Sequence, residues 1–213
     1  MTDVPMPRTP SLAAVSPAYR EMERRRELAA ARHAAWESCR SWRDLYAEVL
    51  GTTNRRVLEV ACGDGDATFL LYLLGHEVHG ADASPERVRR LRARAAAGCA
   101  AADFRACGPE DLNFPAGVFD AVHARGLFAD AANPGLVLVE WYRVLRAGGT
   151  ALAVEREGGA RPGQLLRAAG FAGVEERVMR LPRRCLPRTA REPWFLRWAR
   201  RNASFRVAWG TRP

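Results

Sequence analysis

The residues best suited to chemistry lie where a short apolar segment meets a glycine-rich turn. Glu59 is inside the apolar segment, and Gly63 and Gly65 follow it, just before a stretch with helical spacing. Glycine lets the backbone bend sharply there and approach a ligand closely, although two glycines alone also suit a plain tight turn. Asp82 ends the next apolar segment, nineteen residues after Gly63. A carboxylate in that position can accept both ribose hydroxyls, so the spacing predicts a nucleoside site.

Two ligand classes fit this arrangement, a dinucleotide or S-adenosylmethionine. Dinucleotide loops prefer a third small residue where this chain has Thr68, and they cradle a pyrophosphate. Glu59 in the strand and Asp64 between the glycines would repel a pyrophosphate, but they would attract the amino group and the sulfonium of S-adenosylmethionine. The charges therefore favour S-adenosylmethionine.

The remainder of the chain alternates short apolar runs with helical stretches, which is typical of parallel β-α-β units. The patterns predict strands at 56–61, 77–82, 102–106, 119–123, 149–155, 174–180 and 204–209. They predict helices at 66–74, 85–97, 134–146 and 161–170. Gly148 and Gly149 are expected to end the helix before the fifth strand. We expect a disordered leader at 1–16, an N-terminal helical lid at 17–50 and one α/β domain at 51–213.

The segment Arg56–Glu155 resembles the core of class I S-adenosylmethionine-dependent methyltransferases of the small-molecule type. The stretches that carry the resemblance are Val57–Gly65, Gly80–Asp82, Glu110–Pro115, Phe119–Val122, Arg143–Gly149, Leu165–Val174 and Phe205–Pro213. The resemblance implies a Rossmann-like three-layer αβα sandwich, with a seven-stranded, mostly parallel sheet and an antiparallel last strand. The chain departs from the family at Gly108, where many members have an aspartate.

These motifs define the candidate site. The residues expected to hold the cofactor are Glu59, Ala61, Cys62, Gly63, Asp64, Gly65, Asp82, Ala83, Pro109, Glu110, Asp111 and Ala124. His123 is the candidate general base, because the pKa of histidine lies near working pH. Its alternative role is to pack or to contact the cofactor without moving a proton. Arg125 and Glu155 are expected near the acceptor, since acceptors bind outside the carboxyl ends of the strands.

Charge and composition bear on the partners. The net charge is +9, and all 33 basic residues are arginine. Between Arg177 and Arg206 ten arginines and one acid are interleaved with aromatic residues. Three interpretations stay open for this stretch: a solvated excursion anchored by its aromatics, a surface for an anionic or carrier-bound acceptor, and an RNA-binding surface.

Cellular location can also be inferred from composition. The five cysteines are scattered without a paired motif, which favours reduced thiols and predicts no metal site. The apolar run Phe69–Leu74 is too short to span a membrane, and the N-terminal residues lack the apolar core of a secretory signal. The sequence therefore predicts a cytoplasmic enzyme that methylates a small molecule, such as a secondary metabolite, from S-adenosylmethionine. The alternatives are an RNA methyltransferase and a non-catalytic protein that binds S-adenosylmethionine.

Overall fold

A computed structural model describes residues 40–98, 100, 102–181 and 203–213. Its elements are α1 (Arg40–Leu50), β1 (Arg56–Val60), α2 (Asp66–Leu73), β2 (Glu77–Asp82), α3 (Pro85–Ala97), β3 (Ala102–Ala106), β4 (Phe119–Arg125), α4 (Pro134–Val144), β5 (Leu145–Arg156), α5 (Pro162–Ala168), β6 (Ala172–Leu181) and β7 (Ala203–Thr211). The predicted leader, residues 17–39 of the predicted lid and residues 182–202 of the arginine-rich stretch lie outside the described residues.

The seven strands among the described residues form one sheet, in the order β3-β2-β1-β4-β5-β7-β6. The pairs among β1 to β5 are parallel, whereas β7 is antiparallel to both β5 and β6. This confirms the predicted Rossmann-like α/β fold with its antiparallel last strand. Strands β1 to β3 are added in order toward one edge of the sheet, and β4 lies on the other side of β1. The strand order therefore reverses between β1 and β4. Open parallel sheets bind ligands at such a switch point, outside the carboxyl ends of the strands.

Helices cover both faces of the sheet, as near-continuous apolar strands require. One apolar cluster joins α1 and α2 to the sheet, a second joins α3 to β3, and the largest packs α4 and α5 against the opposite face. Helix α3 begins at Pro85, and the hydroxyl of Ser84 caps it by accepting a hydrogen bond from the Arg87 amide. None of the described helices has the length and apolar character that a membrane span requires.

The boundary between α4 and β5 differs from the prediction. The helix ends at Val144 and β5 begins at Leu145, so the two glycines lie inside the strand. Residues 146–149 stand opposite a single residue of β4, between the register pairs Phe119–Leu145 and Ala121–Thr150. The prediction that the glycines end the helix was therefore wrong. They allow an irregular bulge in the strand, where Gly148 has a φ of 73°.

Helix α1 and the start of β7 lie at the carboxyl ends of the parallel strands. Trp42 of α1 contacts Phe205 with ring centroids 5.5 Å apart, and Phe205 pairs with Arg156 at the end of β5. Leu181 at the end of β6 pairs with Ala203 at the start of β7. These elements are therefore on the side where open parallel sheets bind ligands.

Candidate functional site

The glycine-rich loop connects β1 to α2, and its two glycines serve different purposes. Both have positive φ angles, 56° for Gly63 and 75° for Gly65, which favour glycine. A Cβ at Gly65 would lie 2.5 Å from Leu91 of α3, so the loop and α3 pack there without space for a side chain. A Cβ at Gly63 would meet nothing within 4 Å. Gly63 therefore faces open space in which a ligand fits.

Asp82 ends β2 next to this loop. One of its carboxylate oxygens accepts a hydrogen bond from the Gly63 amide at 2.9 Å, and the other accepts one from the Ser84 amide at 2.9 Å. Arg87 lies 3.6 Å from the carboxylate, and Asp82 is almost fully buried. Each oxygen keeps a second lone pair, so the carboxylate is oriented and still able to accept hydroxyl groups. These residues fit the ribose of a bound nucleoside.

Glu59 lies beneath the loop rather than at its surface. It is 2% exposed and accepts a hydrogen bond from the hydroxyl of Thr68 in α2. Burial raises the pKa of Glu59 to about 7, although the charge of Arg125 and the bonds from Thr68 act in the opposite direction. Glu59 therefore links β1 to α2 through Thr68, and it is a titratable carboxylate buried below the glycine-rich loop. The importance of Thr68 as its partner could not be seen from the sequence.

The other loop residues shape the backbone. Ala61 has a φ of 55° and is the one non-glycine residue in the described part of the chain with a positive φ. Cys62 is buried, its amide donates to the carbonyl of Ala81 at 3.0 Å, and burial raises the pKa of its thiol. Asp64 is exposed, and its carbonyl accepts a hydrogen bond from Arg94 at 2.6 Å. The loop is thus tied to β2 and α3, leaving the Asp64 carboxylate exposed.

The predicted adenine-binding stretch follows β3 and lies beside β2. The Cys107 amide donates to the carbonyl of Asp82 at 3.2 Å, so the start of this stretch lies beside the end of β2. Within the stretch Pro109 is half-buried and Asp111 is exposed. Glu110 accepts a hydrogen bond from the amide of Asn133, so it also links this stretch to α4. At Gly108, the one departure from the family, a Cβ would meet only Glu110, at 3.9 Å.

His123 is in the core of the sheet rather than in an open pocket. Its side chain is fully buried, and its Nδ1 lies 3.2 Å from the carbonyl oxygen of Leu152. A carbonyl only accepts, so Nδ1 carries the proton and Nε2 accepts the hydroxyl of Tyr46 at 2.9 Å. Burial, and then the charge of Arg125, lower the pKa of His123 to about 3. Both ring nitrogens are therefore engaged and the ring is neutral. Ala124 is also buried, but packs in the cluster on the opposite face.

Helix α1 closes this side of the sheet. Tyr46 is fully buried, and its pKa is raised by burial. The guanidinium of Arg125 lies 5.2 Å from the centre of the Trp42 ring, close enough for a cation–π contact. Trp42 and Tyr46 stack with centroids 6.0 Å apart. Two aromatic side chains of α1 thus cover His123 and the end of β4.

Glu155 ends β5 and has a local structural role. It is 1% exposed and accepts a hydrogen bond from the Phe128 amide at 2.8 Å. It therefore holds the loop that follows β4, beside the end of that strand. Sequence reasoning placed Glu155 near the acceptor but did not identify this bond.

The predicted cofactor residues thus lie at or just after the carboxyl ends of β1, β2, β3 and β4. In the described part of the chain, no group of histidine, cysteine, aspartate or glutamate side chains could hold a metal ion.

Sequence comparisons agree with this geometry. Residues 58–153 match the family model of the methyltransferase domain. An uncharacterised protein of Mycobacterium tuberculosis is 38% identical over 94 residues, which are 44% of this chain and 34% of that protein. The ubiquinone biosynthesis O-methyltransferase of Mesorhizobium japonicum is 31% identical over 130 residues, 60% of this chain and 50% of the relative. The chain thus spans about a third and a half of the length of these two relatives.

Solved structures share the fold. The [4+2]-cyclase SpnF superposes with a TM-score of 0.60 at 19% identity and covers 79% of each chain. The geranyl diphosphate C-methyltransferase of Streptomyces coelicolor, solved with S-adenosyl-L-homocysteine, has a TM-score of 0.60 at 14% identity and covers 80% of this chain and 76% of that one.

The fold, the loop and the acid at the end of β2 define a nucleoside-binding α/β domain. The matched family model identifies residues 58–153 as a methyltransferase domain, in agreement with the class I S-adenosylmethionine-dependent resemblance of the sequence. S-adenosylmethionine is its cofactor.

Proposed function

We propose that this protein is an enzyme that transfers the methyl group of S-adenosylmethionine to a small-molecule acceptor. The bound cofactor would supply an electrophilic methyl carbon for an in-line displacement. The protein then has to bind the cofactor and the acceptor, orient them and exclude water from the site. It needs no dedicated nucleophile.

The observation that carries the proposal is the hydrogen-bonded contact between the glycine-rich loop and Asp82. A single carboxylate is fixed by the Gly63 amide and the Ser84 amide, beside a glycine that faces open space. In this proposal Asp82 accepts the ribose hydroxyls, and Gly63 lets the backbone contact the ligand. The loop stretch from Ala61 to Gly65 and the stretch from Pro109 to Asp111 would enclose the remainder of the nucleoside. The side chain of Ala83 and the main chain at Ala124 would be further contacts.

The acceptor would approach at the carboxyl ends of β4 and β5. Arg125 provides a positive charge there, which would suit an anionic acceptor, and Glu155 fixes the adjacent loop. The names of the compared proteins, one for ubiquinone biosynthesis and one for geranyl diphosphate, support a small-molecule acceptor rather than a nucleic acid. The free cysteines Cys62 and Cys107 suit a reducing cytoplasm, where we place the reaction.

For His123 we propose a positioning role instead of proton transfer. A general base needs a nitrogen that can reach the acceptor and gain a proton near neutral pH. Here one nitrogen accepts from Tyr46, the other donates to Leu152, and the pKa is near 3. If His123 nevertheless acts as the base, the His123→Gln variant will lose most of its methylation rate while its affinity for the cofactor is unchanged.

The first experiment is calorimetric titration with S-adenosylmethionine and, separately, with NAD. We expect binding of S-adenosylmethionine alone, and Asp82→Ala should weaken it about 100-fold, because two charge-assisted hydrogen bonds are lost. Asp103→Ala removes an exposed carboxylate from β3 and is the matched control. Equal weakening by the two variants, or tight binding of NAD, would contradict the cofactor site. A panel of small hydroxyl, amine and carboxylate acceptors, run beside tRNA, then tests the acceptor class.

A further inference from the structure

A groove lies at the far end of the sheet, between α5 and the edge strand β6. It has a volume of about 320 Å³ and is lined by Arg161, Gln164, Arg167, Glu176, Arg177, Val178 and Arg206. Arg161 is the residue that precedes α5, and Gln164 and Arg167 follow it at three-residue steps, on one side of the helix. A Cβ at Gly163 would collide with the carboxylate of Glu176 and lie 3.2 Å from the Glu176 Cβ, so α5 packs closely on β6 there.

The groove carries excess positive charge. Among the described residues, Glu176 is the one carboxylate that lines the groove, and Arg206 lies 3.3 Å from it. Arg177 is already balanced by Glu48 of α1, through two hydrogen bonds of 2.8 and 2.6 Å. Arg161 and Arg167 are exposed, and Arg167 donates a hydrogen bond to a neutral group, the carbonyl of Val174, at 3.1 Å. The groove therefore holds about two positive charges in excess of its acids.

A phosphate group matches this arrangement in charge and shape. A phosphate monoester carries a charge of about −1.5 to −2 at neutral pH. Its three terminal oxygens point in different directions, so guanidinium groups on both walls of a groove can bind it at once. A carboxylate has two oxygens in one plane and a single charge, and would leave part of the positive charge unmatched. Gln164 adds an amide that can donate to a further oxygen.

The groove is separate from the cofactor site. Four strand spacings lie between β1 and β6 in the sheet order, or about 19 Å at the usual spacing. Glu176 contacts α5 at Gly163, so this wall of the groove is on the face of the sheet opposite α1. Arg177, on the edge strand, reaches toward the other face and bonds to Glu48.

We propose that the groove between α5 and β6 is a binding site for a small phosphate-bearing ligand, with Arg161, Arg167 and Arg206 as its anion ligands. This goes beyond the proposed methyl transfer and does not depend on it. The ligand would be inorganic phosphate or a phosphate monoester of a small molecule, and the same guanidinium groups would recognise both.

The test is calorimetric titration of the full chain with inorganic phosphate and with phenyl phosphate, in 0.15 M NaCl. The double variant Arg161→Gln/Arg167→Gln should bind both probes at least about tenfold more weakly. Arg89→Gln/Arg90→Gln removes the same charge from the exposed side of α3 and should change affinity less than about twofold. Tighter binding of phenyl phosphate would point to an organic ester, and tighter binding of inorganic phosphate to the free ion.

Three results would overturn the proposal: no binding of either probe to the parent chain, equal weakening by the two double variants, or tRNA that binds far more tightly than both probes through the same arginines. Thermal unfolding of each variant shows whether it is folded. The affinity for S-adenosylmethionine should be unchanged in Arg161→Gln/Arg167→Gln, so failure here is distinct from failure of the cofactor site.

Discussion

The candidate site has a nucleoside side, at the glycine-rich loop and Asp82, and a β4 side, at His123 and Tyr46. The polar groups of these two sides find their hydrogen-bond partners in opposite ways. On the nucleoside side, Asp82 is held by two backbone amides and keeps lone pairs for a ligand, while Gly63 faces open space. On the β4 side, His123 and Tyr46 are fully buried and bond to each other.

This difference indicates that the nucleoside side binds the ligand, whereas the β4 side stabilises the fold. A buried polar group must be hydrogen-bonded, because leaving it without a partner costs about 1–3 kcal/mol. At His123 both ring nitrogens already have protein partners, so neither is available to a ligand. At Asp82 the protein partners orient the carboxylate, and its oxygens can still accept hydrogen bonds from a ligand. We therefore expect changes on the nucleoside side to alter affinity, and changes on the β4 side to alter stability.

The largest expected effect comes from the two loop glycines. Gly65→Ala should lower the free energy of unfolding by about 3 kcal/mol, because it combines an unfavourable positive φ with a collision against Leu91. Gly63→Ala should cost only about 1 kcal/mol of stability, since its Cβ enters open space. It should nevertheless weaken S-adenosylmethionine binding at least about tenfold, by filling space that the ligand needs. Urea unfolding and calorimetry measure the two quantities. If both variants lose stability equally and Gly63→Ala binds normally, then Gly63 is only a turn residue.

A smaller effect is expected on the β4 side. Tyr46→Phe leaves Nε2 of His123 without its donor, so the free energy of unfolding should fall by about 2 kcal/mol. The affinity for S-adenosylmethionine should stay within about twofold, measured by calorimetry. Tyr72→Phe, at a half-buried tyrosine of α2, is the matched control. Lost affinity with unchanged stability would show that α1 belongs functionally to the nucleoside side.

The smallest effect concerns pH and Glu59, which lies between the two sides. With a pKa near 7 in the ligand-free protein, Glu59 becomes negatively charged as pH rises from 6 to 8. S-adenosylmethionine is positively charged at its amino and sulfonium groups, so its affinity should rise about threefold to tenfold over that range, with release of a proton. Calorimetry in two buffers of different ionisation enthalpy detects the proton. Glu59→Gln should abolish both effects, and a pH dependence that persists in this variant would assign it to another group.

The same shift affects stability with a defined sign. The pKa of Glu59 is raised from its ordinary value of 4.5, so the folded protein binds more protons than the unfolded chain between pH 4.5 and about 7. Stability of the unliganded protein therefore falls as pH rises through that window, and Glu59→Gln should lack this contribution.

Much of the fold could be predicted from local patterns. The apolar runs located every strand, and the family resemblance supplied the antiparallel end of the sheet. The boundary at β5 was missed, because glycines normally end helices and nothing local shows that Gly148 and Gly149 lie within a paired strand.

The site was predictable only in part. Asp82 and Gly63 were found because their spacing follows from one β-α-β unit. The bond between Tyr46 and His123 joins residues 77 positions apart, and no periodicity reports such a contact. For the same reason the sequence nominated His123 as a base without showing how buried it is. Thr68 lies only nine positions from Glu59, yet its bond depends on how the loop orients α2.

The origin of the two sides of the site in the chain has an evolutionary consequence. The nucleoside side comes from one continuous stretch, Glu59 to Asp82, whereas Arg125 and Glu155 belong to β4 and β5. Substitutions around Arg125 and Glu155 can therefore change the proposed acceptor side without changing the loop or its acid. A lineage could acquire a new acceptor in this way, with the nucleoside-binding half inherited intact.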